Sequence, residues 1–529
     1  MNNNIVTEIF YTDKEKVNNF EFCDRIFKTL DGADLLNSRI FAYRNGQSIL
    51  GLILIKPTIS NGFEVVYSSY KKKDRHAAKA LLETALMIIL KDKSNSTISI
   101  RTDNSLSDKF LTEFGFQKNG SEVYSLVVTT DYKYKFFLRK LKEEYNKSIV
   151  LNPTENIPLN SEEIADTSFL ESMYVSESIR SKNSEVAFGG RDTLASFFSA
   201  IKAEWRRLLN AKEIDLKTLS GLHAHLILLS SILRTGDSIM LLPVSGGGHY
   251  KTPGILKRLG AIVIDMALDN NNHCVDIEKT KELIHKYKPK YLFVDRSEGL
   301  VYEDFSWLNE FPNIYKIFDA SQYLAQILVD NYPNPFDNGF DMIVSSLHKN
   351  YPGPQKALFA SKNTFDEDFA WRLFRDGLSA FMSSVHPENV VKSLIPYIES
   401  EKLSFYVKES KACILALEEQ LIERGIPVVR RKSSKYPALH LWIKCATQED
   451  SYSFFEKLES IGLLVNYRLL PYDLGYGLRL GVTAAVRKGL RQHNIIALSN
   501  IISKIYKQDI VDANIIKEVK NLHKALLHN

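Results

Sequence analysis

A lysine at the end of an apolar strand is the first feature of this chain that could do chemistry. The run Asp341-Met342-Ile343-Val344-Ser345-Ser346-Leu347-His348-Lys349 passes from apolar residues to hydroxyls and then to the amine, with Tyr351-Pro352-Gly353-Pro354 behind it. An amine placed there, in a cleft, can condense with an aldehyde. Upstream, Tyr315-Lys316-Ile317-Phe318-Asp319 ends a second apolar strand in a carboxylate, which can pair with a protonated ring nitrogen. Ser220-Gly221 opens the helical stretch Leu222 to Leu233 and offers a hydroxyl and free N–H groups to a phosphate. The loop Ser245-Gly246-Gly247-Gly248-His249 delivers an imidazole flat enough to stack on a ring. Taken singly, each feature has an ordinary explanation: a solvated lysine, a turn aspartate, a helix cap, a structural histidine. Four in this order point to one site.

The elements that must position these groups follow from the apolar pattern. Buried strands are expected at Ser238 to Pro243, Ala261 to Met266, Tyr291 to Val294, Tyr315 to Asp319 and Met342 to Ser346, separated by helical stretches. That alternation indicates a doubly wound α/β domain. Beyond about Lys356, long helices such as Lys411 to Arg424 mix with strands near His440 to Ile443, a smaller α+β portion. Residues up to about 128 have their own alternation. Phe41 to Arg44 and Ile49 to Ile55 flank the turn pair Asn45-Gly46. Strands follow at Phe63 to Tyr70, Thr97 to Arg101 and Val123 to Val128, with helices at Ala77 to Leu90 and Ser107 to Phe114, the latter closed by Gly115. Tyr132 to Asn146 reads as a charged helical connector.

Composition narrows the function classes. With 529 residues, 44% of them hydrophobic, two to four domains with large cores are expected, and disorder is excluded. The 68 basic and 63 acidic residues leave only +5, spread along the chain, against nucleic-acid binding. Cys23, Cys274, Cys413 and Cys445 form no C-x-x-C pair, which argues against zinc and disulfides and suits a reducing compartment. His223 and His225 interrupt one apolar run and Glu83 and Thr84 another, so no transmembrane helix is expected. The start Met-Asn-Asn-Asn-Ile-Val-Thr-Glu lacks the pattern of a signal peptide. The expectation is a cytoplasmic protein with no metal and no membrane partner.

Residues from about 151 to 500 resemble serine hydroxymethyltransferase among the fold type I pyridoxal phosphate enzymes. The resemblance rests on Pro153-Thr154-Glu155-Asn156, Phe188-Gly189-Gly190, Ser220-Gly221, Gly247-Gly248-His249, Tyr332-Pro333-Asn334-Pro335, His348-Lys349 and Gly477-Leu478-Arg479-Leu480-Gly481. It implies pyridoxal 5'-phosphate as cofactor, with Lys349 as the Schiff-base lysine, Asp319 as the pyridinium partner and His249 stacked on the ring. Ser220 and Gly221 would hold phosphate, with Ser346 and His348 beside the cofactor. Arg479, with Thr154, would orient an amino acid carboxylate, a task that suits a guanidinium fork. Glu177 would transfer protons, and the segment with Phe188 would reach a partner's site, so a homodimer is implied.

The departures from that pattern bear on the reaction. Gln322 stands where the family's histidine approaches the cofactor's phenolic oxygen, Ala187 and Phe188 replace a tyrosine pair, and Gln355 replaces an arginine. In Val465-Asn466-Tyr467-Arg468-Leu469-Leu470-Pro471-Tyr472-Asp473, Arg468 occupies the position of a pterin-contacting asparagine. The cofactor and carboxylate machinery stay while the one-carbon donor site changes. The leading expectation is a folate-independent aldolase or transaldolase acting at Cα/Cβ of a β-hydroxy amino acid or glycine, in specialised biosynthesis. Aminotransferase, folate-dependent hydroxymethyltransferase and an acyl-transferring pyridoxal phosphate enzyme are the alternatives. A DNA-binding regulator is disfavoured by the strand-rich N-terminal region.

Residues 1–128 resemble the GNAT acetyltransferases in the order strand, basic loop, helix, strand, short helix, Gly-Phe. Lys73-Asp74-Arg75-His76-Ala77-Ala78 matches the loop that turns backbone N–H groups onto a pyrophosphate, and Asn104, Ser107, Phe110, Gly115 and Phe116 match the following segment. The resemblance implies a coenzyme A thioester as ligand. His76 replaces a glycine, and Leu111 falls where many members carry a tyrosine acid, which favours a domain kept for architecture, docking or substrate recognition. The expected organisation is therefore α/β throughout: a GNAT-like domain (1–128), a helical connector (129–150), a large pyridoxal phosphate-binding domain (151–360) and a small C-terminal domain (361–529).

Overall fold

Alternating apolar residues near the N-terminus build a mixed sheet. In the computed structural model, Asn4–Ile9 (β1), Arg39–Asn45 (β2), Ser48–Pro57 (β3) and Phe63–Ser69 (β4) pair antiparallel in chain order. The description covers the chain except residues 1–3, 10–37, 46–47, 59–61, 70–74, 93–95, 102–105, 121–122, 160–166, 172, 174–188, 365–385, 434, 509–510 and 528–529. The chain divides into two compact units, Met1–Ser148 with Ile510–Lys517, and Ile149–Asp509 with Glu518–Asn529.

In the first unit β4 pairs parallel with Thr97–Arg101 (β5), and a parallel pair requires a crossover. Helix Arg75–Asp92 (α1) supplies it, burying Ala78, Leu81, Leu82, Ala85 and Ile89 against the sheet. Val123–Val127 (β7) follows antiparallel on β5, with Gln117–Lys118 (β6) outside it. Ser107 caps helix Asp108–Glu113 (α2) by accepting from the Phe110 N–H at 3.2 Å, and Gly115 leaves it with φ +84°. Leu111 is wholly buried in this core. Helix Thr130–Lys147 (α3) lies on the same unit: Phe136 is buried, Tyr132 donates to the Phe114 carbonyl at 2.7 Å, and Lys140 meets buried Glu83 at 2.6 Å. Of the basic loop, residues 71–74 fall outside the described residues, as does Asn104.

The second unit carries a seven-stranded sheet in the order β10-β9-β11-β12-β13-β14-β8. These are Glu213–Asp215 (β8), Ser238–Leu241 (β9), Ile262–Asp265 (β10), Tyr291–Val294 (β11), Tyr315–Asp319 (β12), Met342–Ser346 (β13) and Ala357–Ser361 (β14). The strands from β10 to β13 are parallel, and β14 and β8 close the edge antiparallel. Every residue of β11 and β13 is buried, as expected of strands covered on both faces. Helices Gly221–Ile232 (α4) and Thr252–Arg258 (α5) pack against this sheet. Because parallel strands end on one side, Asp319 and Ser346 emerge at the same rim.

A smaller antiparallel sheet in the order β15-β17-β16 is formed by His440–Lys444 (β15), Asn466–Leu470 (β16) and Gly475–Gly481 (β17). The long helix expected from Lys411 starts earlier, spanning Ser400–Glu423 (α6), because Leu403, Tyr406 and Val407 continue the buried helical spacing through a polar stretch. Gly481 at the end of β17 packs against Pro153: a Cβ there would lie 2.6 Å from the Pro153 Cβ, and the Gly481 N–H donates to the Leu151 carbonyl at 2.7 Å. This contact joins the Pro153–Asn156 segment to the strand bearing Arg479. Among the described residues no helix is long and apolar enough to cross a membrane. Gly481→Ala is expected to destabilise the chain by about 1–3 kcal/mol through overpacking, read as a lower midpoint in urea.

Candidate active site

Burying a carboxylate at a strand end demands a compensating partner. Asp319 finds one that no sequence motif marks. His225, on the second turn of α4, places Nε2 2.7 Å from Asp319 Oδ2, and the Ser321 N–H donates to Oδ1 at 2.7 Å. His225 Nδ1 lies 3.3 Å from Thr252 Oγ1, and that hydroxyl is 2.9 Å from Asp295 Oδ2. The Asp295 carboxylate accepts the one hydrogen of Thr252, whose oxygen therefore accepts a hydrogen bond from Nδ1–H, and the Asp319 carboxylate accepts one from Nε2–H. Both ring nitrogens therefore carry hydrogen, and His225 is an imidazolium.

The electrostatics agree with that geometry. Burial alone would lower the His225 pKa, but Asp295 and the Asp319 hydrogen bond outweigh it and raise it. Asp319 is held below the usual carboxylate range: burial pushes it up, and the His225 hydrogen bond and charge, with Lys349, pull it further down. Ligand atoms of His225, Asp295 and Asp319 all lie within 4.8 Å of one another. Each already serves the hydrogen-bonded chain just described. One imidazolium between two carboxylates leaves a single negative charge at the rim.

The other predicted groups gather around this pair. Ser220 caps α4, its Oγ accepting from the His223 N–H at 3.2 Å. Gly221 lies against the lysine strand: a Cβ there would meet Ser321 Oγ at 3.4 Å and Ser346 Cβ at 3.5 Å. Ser346 Oγ and His348 Nδ1 are buried without a hydrogen-bond partner. Two orphaned polar atoms beside a helix N-terminus form a fitting cradle for an anion. Lys356, also missed at first, is buried nearby, its Nζ donating to the Lys217 carbonyl at 3.2 Å and its charge acting on His223.

Lys349 is near enough to act on Asp319, His225 and His249. Its carbonyl accepts from Asn156 Nδ2 at 2.6 Å, and the same amide donates to Tyr406 Oη at 3.0 Å. His249 stands edge-on to His225 with ring centroids 6.0 Å apart. Its glycine loop has no room for side chains: a Cβ on Gly248 would lie 2.3 Å from the Leu242 carbonyl, and Gly247 adopts φ +91°. Gln322 is buried in the turn after β12.

A hydrogen-bonded path links this group to Arg479. Ser297 donates from Oγ to Asp295 Oδ1 at 2.9 Å, and its carbonyl accepts from Arg479 Nη1 at 3.3 Å. Thr154, brought alongside β17 by Pro153, directs its hydroxyl to Asn152 Oδ1 at 2.9 Å. Glu177 and Phe188 lie outside the described residues. Asp295 gave the same signal as Asp319, a carboxylate directly after an apolar strand, whereas His225 was hidden by its apolar neighbours.

In fold the chain is similar to a threonine transaldolase. That structure, L-threonine transaldolase from Pseudomonas fluorescens in its internal aldimine state, superposes with a TM-score of 0.68 at 18% identity, covering 74% of this chain and 91% of that one. No protein-family model matches. Among curated proteins, serine hydroxymethyltransferase from Pyrobaculum islandicum is 24% identical over 342 residues, 62% of this chain and 78% of that protein. The Picrophilus torridus enzyme of the same name is 27% identical over 311 residues, 56% and 71% of the two chains.

His225→Gln should cost about 3–5 kcal/mol by leaving a buried carboxylate without its cation. The raised His225 contributes stability that is complete below its unfolded value of about 6.5 and fades as pH climbs through its higher folded value. The depressed Asp319 contributes above about 3.9 and fades as pH falls through its lower folded value. Urea midpoints of wild type and variant should therefore differ most between about pH 4 and 6.5 and converge on either side.

Proposed function

We propose that this chain is a pyridoxal 5'-phosphate-dependent enzyme acting at Cα/Cβ of an amino acid, in a folate-independent aldolase or transaldolase reaction on a β-hydroxy amino acid or glycine. The observation that carries the reading is the Asp319–His225 pair standing with Lys349 beside the α4 N-terminus. The likeness to serine hydroxymethyltransferases and to a threonine transaldolase supports the same reaction class.

The residues fit the cofactor. The single negative charge of the His225, Asp295 and Asp319 group matches one protonated ring nitrogen. The unpartnered Ser346 Oγ and His348 Nδ1, with Ser220, the N–H groups of α4 and the nearby Lys356, suit a phosphate. His249 is the flat group for the ring face, Gln322 is the residue for its oxygen, and Lys349 is the amine that holds its aldehyde. When bound, this cofactor withdraws electrons from Cα so that a bond there can break and re-form. Arg479, with Thr154, orients the substrate carboxylate by a fork that fits two oxygens. By the resemblance alone, Glu177 would move the proton and Phe188 would contact the substrate.

A specific contact favours independence from folate. Arg468, at the position the resemblance gives to a pterin-contacting asparagine, is ion-paired with buried Glu298. The protein itself thus occupies that group. A cytoplasmic homodimer is part of the proposal, and Leu222 and Leu226, both exposed on one face of α4 beside the site, support a covering partner. The first unit is read as a GNAT-like domain kept for docking or architecture, since buried Leu111 can donate no proton.

Purified protein should show visible absorbance from the lysine-held cofactor, and Lys349→Ala should abolish it; an unchanged spectrum overturns the assignment. Threonine without folate should release acetaldehyde in a coupled dehydrogenase assay, whereas accumulation of pyridoxamine phosphate would favour transamination. Arg479→Lys should raise KM for the amino acid about tenfold or more, because the bidentate fork is lost.

A further inference from the structure

Three charged side chains meet at the base of the smaller sheet in an arrangement that carbon-skeleton chemistry alone does not require. Arg479 and Arg468 share one face of the ladder between β16 and β17: Arg479 pairs with Asn466 and Arg468 with Gly477, which makes the two arginines diagonal neighbours. Like charges so placed repel. Glu298, in the segment after β11, enters between them and is almost completely buried, at 2% exposure. Its Oε1 is in direct contact with Arg468 Nη1 but stands 4.0 Å from Arg479 Nη1. Its Oε2 has no hydrogen-bond partner, and neither does Arg479 Nε.

The two guanidinium groups are thus unequally used. Arg468 takes the glutamate, at 24% exposure, while Arg479, at 3%, donates to the Ser297 carbonyl at 3.3 Å and meets Glu298 only at the longer 4.0 Å among the described residues. Two cations against one anion leave one positive charge uncompensated in a buried place. A single carboxylate would balance it. Asp295 acts on Glu298 as a like charge, and His440, against the Glu298 backbone, is held well below its ordinary value by burial and by the charges of Arg479, Arg431 and Arg468. Neither offers Glu298 a cation to replace Arg468.

We propose that Arg468 is a positioning residue for carboxylate recognition, holding Glu298 away from Arg479 so that the substrate carboxylate finds the Arg479 guanidinium open. Without Arg468, Glu298 would have one cation left to pair with, and it would compete with substrate for Arg479. The inference rests on Arg479 being the carboxylate-binding arginine.

The test is equilibrium binding of glycine to the full-length, cofactor-loaded protein by calorimetry, with methylamine as the amine lacking a carboxylate. Arg468→Ala should weaken glycine about tenfold or more and leave methylamine within about threefold. Adding Glu298→Gln to that variant should restore glycine to within about threefold of wild type. Unchanged glycine binding in Arg468→Ala overturns the proposal, as does an equal loss for methylamine or a double variant as weak as the single one. If Arg468→Ala does not fold, Glu298→Gln and the double variant carry the comparison: equal affinities support the role, and a tenfold gap overturns it. Arg479→Lys separates the underlying reading, because wild-type glycine affinity there removes the carboxylate assignment whatever Arg468 does.

Discussion

An ionised carboxylate in a protein interior has to be matched, and the Asp319–His225 contact is where this chain meets that requirement. Asp319 sits at the end of a central parallel strand, where water cannot solvate it. The imidazolium that answers it comes from α4, the helix whose N-terminus also forms the anion cradle. One contact therefore fixes the rotation of the helix against the sheet. It also requires its own support, since a buried imidazolium needs acceptors on both nitrogens, and Thr252 and Asp295 complete the set.

From Asp295 the same logic runs onward to the smaller sheet. Ser297 bonds to Asp295 on one side and receives Arg479 on the other, and Glu298 follows directly between two arginines. The charges do not cancel pair by pair. A net negative charge remains beside Asp319 and a net positive one beside Arg479. A ligand with a carboxylate at one end and a cationic ring at the other would present the complementary order of charges, which makes the polarity of the site a property of its framework.

Much of this was legible from the amino acids in order. Strands Tyr291–Val294, Tyr315–Asp319 and Met342–Ser346 were expected within those bounds, because a strand buried on both faces reads as an unbroken apolar run. Lys349, Asp319 and His249 could be nominated from the sequence because strand ends and glycine loops announce themselves locally. His225 was not, since it appeared only as an interruption in an apolar helix and its partner lies 94 residues away. Glu298 was equally silent: its meaning depends on Arg468 and Arg479, which long-range strand pairing brings to it. Periodicity reports burial, whereas pairing of buried charges is decided by topology.

The amide of Asn156 has a further consequence. It holds the backbone beside Lys349 across 193 residues and Tyr406 across 250. Contacts of such separation form only after the intervening chain has paid its loop-closure entropy, and topologies rich in them fold slowly. The lysine loop is thus locked by two distant stretches of chain. Its geometry therefore depends on Asn156 and Tyr406 both being in place, so damage far away in sequence reaches the lysine through these contacts.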